Sequence, residues 1–239
     1  MENKSHIVAS FDRDLEAIQA LIMKMGGLVE QAIVNAATAL ETRDEDLAQQ
    51  VRKADKAIDE LEERLNEEAA LILALRQPTA GDLRTVLTVF RLAASLERIG
   101  DYAKNMAKRG GVIMQMQQID GAGAGLRRMA RQVELMLKDA LDAYIQRDAD
   151  LAADVRERDL EVDQMYSALF REYLTFMMED PRNITACMHL HFMAKNIERM
   201  GDHVTNIAEQ VIYLTTGQYP DDEREKGDRS SNDLGVEEE

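Results

Sequence analysis

Cysteine, proline and tryptophan are nearly absent from this sequence. Its 239 residues include one cysteine, three prolines and no tryptophan, and aromatic residues make up 5%. A single cysteine, Cys187, excludes a disulfide within the chain and is typical of a reducing cytosol. It lies in an apolar stretch, which predicts a buried, inert thiol. Few prolines and glycines beside many Ala, Leu, Glu and Arg residues favour helices.

Long hydrophobic runs and excess positive charge are also lacking. No run of eighteen apolar residues occurs, and the first residues, MENKSHIVAS, lack the apolar centre of a signal peptide. We therefore expect no signal peptide and no direct membrane insertion. The net charge is −16. A surface of that sign repels nucleic acid and the anionic inner leaflet, so neither is an expected partner.

The sequence contains two copies of one unit of about one hundred residues. The decapeptide LERIGDYAKN at 96–105 returns as IERMGDHVTN at 197–206, an offset of 101. RDEDLAQQVRKADKAID at 43–59 returns as RDADLAADVRERDLEVD at 147–163, an offset of 104 with nine of seventeen positions identical. The second copy has therefore lost three residues between the motifs, most simply near the turn at Pro181. Two motifs in the same order indicate an internal duplication.

Helix-breaking stretches divide each copy into three segments with helical periodicity. Helices are predicted over about 7–40, 47–75, 79–118, 126–146, 150–178 and 183–216. Thr79 and Asp82 resemble a capping box, and Gly217 a C-cap glycine. Long helices with short connections pack as antiparallel neighbours. The sequence predicts an all-α fold of two pseudo-symmetric three-helix bundles. The predicted units are 5–118, a Gly/Ala hinge at 119–125, 126–217, and an acidic disordered tail at 218–239.

Acidic residues recur at helical spacing in both copies. On adjacent predicted helices, pairs spaced i, i+4 lie on one stripe, so each bundle offers four carboxylates. The eight residues are Asp55, Asp59, Glu97, Asp101, Asp159, Asp163, Glu198 and Asp202. Asn105 and Asn206 continue two of the stripes. Converging carboxylates repel one another unless a cation joins them, and oxygen ligands suit magnesium, calcium, manganese and iron. A solvated acidic stripe is the alternative.

Neighbouring residues bear on the choice between a cation site and a solvated acidic stripe. Arg98 and Arg199 follow the two glutamates directly, and i, i+1 side chains point apart, so we expect them to pair with another helix if at all. Gly100 and Gly201 each weaken a helix interior, which predicts that a helix or a ligand approaches closely there. His191 and His203 are predicted to be structural, since Phe90 and Tyr102 stand at their equivalent positions.

Two other classes of function stay open from the residues alone. One is a carboxylate-bridged metal enzyme, against which the absence of any E-x-x-H pattern counts. The other is a purely structural helical interaction protein, which leaves the repeated stripes and the paired glycines unexplained. The sequence contains no P-loop, no G-x-S-x-G and no H-E-x-x-H motif.

Several segments taken together resemble the PhoU family. They are MKMGGLVEQA near the start, RQPTAGDLR at 76–84, LERIGDYAKN, MMEDPRNI and IERMGDHVTNIAE, and the resemblance covers about residues 5–217. It implies two three-helix bundles without established catalytic activity. It also implies a cytoplasmic regulator that restrains phosphate uptake and the phosphate-starvation response, often as a homodimer.

The resemblance also implies partners and a cofactor. The partners are the ATPase subunit of the phosphate ABC transporter and a sensor histidine kinase, which would bring the protein to the inner membrane. Some members bind iron or zinc clusters through paired acidic motifs, which match the eight carboxylates above. The expected cofactor is therefore a multinuclear site of iron, zinc, manganese or magnesium, with Asn105, Asn206, Arg98 and Arg199 as supporting residues.

Overall fold

The computed structural model describes residues 2–117, 119 and 121–220, and most of these are helical. The helices are α1 (Glu2–Thr42), α2 (Glu45–Arg76), α3 (Ala80–Ile113), α4 (Ala124–Gln146), α5 (Ala149–Glu179) and α6 (Ile184–Thr216). A 3-10 turn, Pro181–Asn183, precedes α6. Within the described ranges there is no β-strand. The predicted all-α fold is confirmed.

The first turn of each repeat is built in the same way. Arg43 and Arg147, 104 residues apart, both adopt φ 53°, a left-handed conformation that ends α1 and α4. The aspartates that follow cap the next helix: a carboxylate oxygen of Asp44 accepts from the backbone N–H of Leu47, and Asp148 does the same at the start of α5. These caps satisfy backbone donors that a helix start leaves unpaired.

The second turn differs in length between the repeats. Three residues, 77–79, separate α2 from α3, whereas Asp180 alone separates α5 from the 3-10 turn. At an offset of 101, that turn is the counterpart of the first three residues of α3. The three-residue loss therefore falls where the sequence offset predicts it, next to Pro181.

Three local predictions have different outcomes. Thr79 does precede α3, but its side chain makes no capping hydrogen bond, and Ala80 adopts φ 46°, so the predicted capping box is wrong. α3 ends at Ile113, earlier than the predicted 118; residue 118 itself lies outside the described residues. Gly217 has φ 84° and its N–H bonds the carbonyl oxygen of Tyr213, so the predicted C-cap is confirmed.

The start of the predicted tail is packed on α6. The ring of Tyr219 stacks on that of Tyr213, with centroids 4.3 Å apart, and its hydroxyl bonds the Gln210 side chain. Disorder was predicted for 218–239, and for residues 218–220 that prediction is wrong because this stacking holds them. Residues 221–239 lie outside the described residues.

The two bundles pack side by side, α1 against α4 and α3 against α6. The guanidinium of Arg84, near the start of α3, lies 5.2 Å from the ring of Tyr213 near the end of α6. At the opposite end, Arg109 lies 4.5 Å from the ring of Phe192. α3 and α6 are therefore antiparallel, and the α2–α3 and α5–α6 turns lie at opposite ends of the molecule.

The midline between the bundles brings equivalent residues of the two repeats together. Tyr102 and His203, 101 residues apart, have ring centroids 5.8 Å apart. Glu30 and Glu134, 104 residues apart, are close enough that the charge of Glu134 raises the pKa of Glu30, although burial is the larger cause. A pseudo-twofold axis therefore passes through this interface.

A single apolar core runs through both bundles. Cys187 is fully buried in it, and burial raises the pKa of its thiol, as expected for an inert cysteine. His191 lies against the rings of Tyr166 and Phe170, at centroid distances of 5.7 and 5.3 Å. This packing supports its predicted structural role.

One helix segment, Arg13–Thr42 of α1, is long and apolar enough to cross a membrane by length and composition alone. The core helix of a soluble bundle passes the same test. Here 44% of the most apolar window is buried, against α2, α3 and α4. A single helix of this kind is weak evidence for a membrane span.

Candidate functional site

The structure brings the predicted carboxylates of the first repeat together in one groove between α2 and α3. Asp55 is buried, with 4% of its surface exposed, and Asp59, Glu97 and Asp101 are half-buried. The ammonium of Lys104 contacts a carboxylate oxygen of Asp55 and lies 3.4 Å from Oδ1 of Asp101. A lysine of the same helix therefore supplies the positive charge at this cluster, which we name the first acidic cluster (Asp55, Asp59, Glu97, Asp101).

Burial, together with crowding of like charge, changes the pKa values of that cluster. Burial, followed by the charge of Asp101, raises the pKa of Glu97 to about 7, and a hydrogen bond with Asp101 adds to the effect. Burial and the charge of Asp55 raise the pKa of Asp59. The hydrogen bond to Asp55 raises the pKa of Lys104. The cluster therefore holds a proton more readily than four separate carboxylates would.

The second acidic cluster (Asp159, Asp163, Glu198, Asp202) lies in the groove between α5 and α6. It is more deeply buried: Asp159, Asp163 and Glu198 are 2%, 3% and 6% exposed. The ammonium of Lys195 lies 2.8 Å from Oε1 of Glu198, while the buried Oε2 makes no hydrogen bond with the described residues. Burial raises the pKa of Glu198, and Asp202 and Asp163 add to this against the opposing effect of Lys195.

The paired glycines allow the two helices of each groove to approach. A Cβ at Gly100 would lie 3.0 Å from Cδ1 of Ile58, and a Cβ at Gly201 would lie 2.8 Å from Oδ1 of Asp159. The predicted close approach is confirmed, and the neighbour is the preceding helix of the same repeat. Gly201 in particular makes room for a carboxylate of the cluster.

The predicted supporting residues lie at the exposed rim. Asn105, Asn206 and Arg199 are exposed. Arg98 is exposed too, yet its Nε lies 3.5 Å from Oε2 of Glu97 and its Nη1 3.8 Å from Oδ2 of Asp101. The expectation that Arg98 would not pair with its own glutamate is therefore wrong, because a long guanidinium stem can fold back along the helix surface. Exposed pairs of this kind contribute little to stability.

The carboxylates of the two clusters suit a metal ion by their chemistry but not by their positions. Carboxylate oxygens in this number suit a hard cation, and the unbonded Oε2 of Glu198 is a ligand atom without another role. Among the described residues, however, no three His, Cys, Asp or Glu side chains surround a common cation position. The chemistry of the residues fits a metal, while their positions are those of clusters closed by Lys104 and Lys195.

Sequence reasoning missed these two lysines. Lys104 is three residues after Asp101, and Lys195 is three residues before Glu198. Their equivalents in the other repeat are Thr205 and Ala94, so a search for residues shared by both copies passes over them. The i, i+3 spacing of lysine and carboxylate was the available signal.

Comparison with known proteins identifies the family. Residues 22–110 and 126–211 each match the PhoU domain, and the gap between them falls at the α3–α4 connection. The chain belongs to the PhoU family. A phosphate-specific transport system accessory protein PhoU homolog of Rhizobium meliloti (strain 1021) is 46% identical over 235 residues, covering 95% of this chain and 96% of the relative. The resemblance read from the sequence is confirmed.

Solved PhoU structures share the architecture. The crystal structure of PhoU from Pseudomonas aeruginosa superimposes with a TM-score of 0.84 at 41% identity, covering 87% of this chain and all of that one. The phosphate transport system regulatory protein PhoU from Streptococcus pneumoniae gives 0.82 at 29% identity, covering 88% of this chain and 99% of the other. The Streptococcus pneumoniae relative bears the name of a regulatory protein, not of an enzyme.

Proposed function

We propose that this PhoU-family protein restrains phosphate uptake and the phosphate-starvation response when phosphate is plentiful. The observation that carries the proposal is near full-length identity of 46% to a relative named as an accessory protein of phosphate-specific transport. The chain spans 96% of that relative, so both bundles are shared. The role is regulatory and not catalytic.

In this proposal the protein is a cytoplasmic adaptor. It binds the ATPase subunit of the phosphate ABC transporter and a sensor histidine kinase, and reaches the inner membrane through them. Two bundles whose second turns lie at opposite ends support two separate contacts. We also propose a homodimer, which sedimentation equilibrium of the purified protein tests: a single species at the monomer mass of 27.0 kDa would contradict it.

The two acidic clusters are proposed to hold metal, with iron, zinc, manganese or magnesium as candidates. A bound cation would supply positive charge that offsets the repulsion among the carboxylates. Asp55, Asp101, Glu198 and their cluster neighbours would be the ligands, after Lys104 and Lys195 turn outward. The carboxylate chemistry and the unbonded oxygen of Glu198 support this proposal.

Elemental analysis of protein purified without chelator or affinity tag tests the metal. We expect metal in the wild-type protein and little in the Asp101→Asn, Asp202→Asn variant. The matched control is Asp46→Asn, Asp150→Asn, which changes two exposed aspartates 104 residues apart and outside the clusters. Equal metal content in all three proteins, including none in any, would remove the metal from the proposal.

A phosphate-repressed reporter tests the regulatory role separately. Deleting the gene should release the reporter in phosphate-rich medium, and the wild-type gene should restore repression. The Asp101→Asn, Asp202→Asn variant should restore it poorly if the clusters take part. Intact repression in the deletion strain would contradict the regulatory role, whatever the metal analysis shows.

A further inference from the structure

The pseudo-twofold axis relates two packing positions between α1 and α4, and the two are filled differently. At the first position, Leu141 of α4 packs so closely on Gly26 of α1 that a Cβ on the glycine would overlap the leucine side chain. At the offset of 104, Ala37 is the counterpart of Leu141, and Ala130 is the counterpart of Gly26. An alanine therefore stands at the second position where the first has a leucine.

A cavity of about 390 Å³ lies at that second position, between α1 and α4. Ala37 and Ala130 are 7% and 1% exposed and form its floor, together with the side chain of Val34. Sites for small organic molecules have volumes of about 300–1,000 Å³. We name this space the α1–α4 cavity; the lining residues used below are Val34, Ala37, Ala130, Arg127, Arg128 and Arg131.

Arginines surround the apolar floor of the cavity. Arg127, Arg128 and Arg131 all line it, and none of the eight described residues that line it is acidic. The net charge of the chain is −16, so most of its surface repels anions. Three guanidinium groups at one cavity make it a place where an anion is attracted instead.

Two of these arginines have carboxylate neighbours outside the cavity. Nη1 of Arg127 lies 3.2 Å from Oε1 of Glu41, and Arg131 binds Glu134. Among the residues that the structure describes, Arg128 forms no ion pair. A guanidinium has five N–H donors, so Arg127 and Arg131 keep donors for a second anion. The pair of Arg127 with Glu41 is exposed and contributes little to stability, so it can rearrange at small cost.

The apolar floor and the arginines favour different parts of one ligand. Guanidinium groups bind phosphate oxygens through two parallel hydrogen bonds, and their flat faces stack on aromatic rings. An inorganic phosphate ion would leave the apolar floor uncovered. We propose that the α1–α4 cavity binds a nucleoside phosphate. Its base covers Val34, Ala37 and Ala130, and its phosphate groups are held by Arg128 and Arg131.

Binding of a fluorescent nucleotide to the purified full chain tests the proposal. The probe is ADP with an N-methylanthraniloyl group on the ribose, titrated in EDTA so that no divalent cation can hold it at the acidic clusters. We expect saturable binding and displacement by unlabelled ADP. Adenosine and inorganic phosphate should each displace the probe at least about tenfold more weakly, because each contacts only part of the cavity.

Three results of this titration would overturn the proposal. One is the absence of saturable binding up to roughly 1 mM probe. Another is a failure of unlabelled ADP to displace the probe, which would mean that the fluorescent group alone binds. The third is displacement by adenosine or by inorganic phosphate that is as effective as displacement by ADP, because the ligand would then lack one of its two proposed parts.

The pseudo-symmetry supplies a matched pair of variants. Arg128→Gln should weaken the probe about tenfold, because it removes a charged donor to phosphate. Lys24→Gln changes the counterpart of Arg128, beside the position that Leu141 fills, and should bind the probe as the wild-type protein does. Both side chains are exposed, so neither change disturbs the core. Equal affinities of the two variants would contradict the assignment of the site.

Ala37→Leu copies the leucine of the filled position and should abolish binding, because the new side chain occupies the cavity. A thermal melt checks that this variant is folded. Undiminished binding by folded Ala37→Leu would place the nucleotide elsewhere and overturn the proposal; if the variant does not fold, Arg128→Gln decides. Binding is measured on the purified protein, so the outcome does not depend on the regulatory role proposed above.

Discussion

The two acidic clusters have the same four carboxylates but obtain their positive charge differently. In the first cluster Lys104 follows Asp101 and contacts two carboxylates, one from each helix. In the second, Lys195 precedes Glu198 and contacts that residue, while the cluster lies deeper. The duplicated carboxylates have therefore been retained with two independent solutions to their mutual repulsion. The retained element is the negative groove, and the lysine is the variable one.

The largest difference in stability between the two repeats is expected from substitutions at the paired glycines, Gly100 and Gly201. Gly201→Ala would place a Cβ 2.8 Å from Oδ1 of the buried Asp159. We expect a loss of about 1–3 kcal/mol in the free energy of unfolding, as for other overpacked sites, measured by urea denaturation. Gly100→Ala meets the flexible end of Ile58 at 3.0 Å and gains helix propensity, so its net change should be near zero. Equal losses would show that the two grooves are equally tight.

The next largest effect on the free energy of unfolding is expected when the lysine of each cluster is replaced. Lys104→Met leaves the buried Asp55 without its ammonium and should cost about 1–2 kcal/mol at pH 7.5, a value reduced because Lys104 is partly exposed. Lys195→Met removes the ammonium from Oε1 of Glu198 and from the ring of Tyr166, so it should destabilise the protein too.

Manganese turns this pair of variants into a test of the metal proposal. Added manganese should raise the melting temperature of Lys104→Met more than that of the wild-type protein, because a cation can take the place of the ammonium. An unchanged melting temperature would mean that the first cluster does not bind manganese.

A smaller effect is expected from Glu97→Gln, and it depends on pH. The pKa of Glu97 is raised from 4.5 to about 7, so the folded protein binds more protons than the unfolded chain between those values. Stability therefore falls as pH rises through that window. Glu97→Gln should stabilise the protein by roughly 1 kcal/mol at pH 8, after allowance for solvent screening, and by nothing at pH 4.

Glu198→Gln is the counterpart in the second cluster. It removes the charge partner of Lys195, so its stabilisation at pH 8 should be smaller than that of Glu97→Gln. Thermal melts of both variants at the two pH values measure the difference. A larger gain at Glu198 would mean that Lys195 does not compensate its charge.

The smallest effect on stability is expected at His203, on the midline between the two bundles. Burial, and then the charge of Arg98, lower the pKa of His203 below 6.5 against the opposing charge of Asp202. Protonation therefore favours the unfolded chain, and this destabilisation appears as pH falls below about 6.5. His203→Tyr, which copies Tyr102, should remove this pH-dependent loss of stability. An identical pH profile in thermal melts of variant and wild type would contradict the shift.

The sequence predicted the helices and the carboxylates because both depend on local or repeated patterns. Periodicity located the C-terminal ends of five of the six helices to within about three residues. The sixth, α3, ends early at Ile113, because nothing in the pattern distinguishes its last turn from the connection that follows. The duplication found all eight acids. It could not find Lys104 and Lys195, which differ between copies.

The antiparallel pairing of α3 and α6 has a consequence for local concentration. The 34 residues of α3 separate the α2–α3 turn from the opposite end by about 50 Å. When a partner binds this protein at one end, the other end stays within a sphere of that radius around the first contact. A binding site at the second end is then present at an effective concentration on the order of millimolar. A second contact that is too weak to form between free molecules would then be occupied as soon as the first one forms.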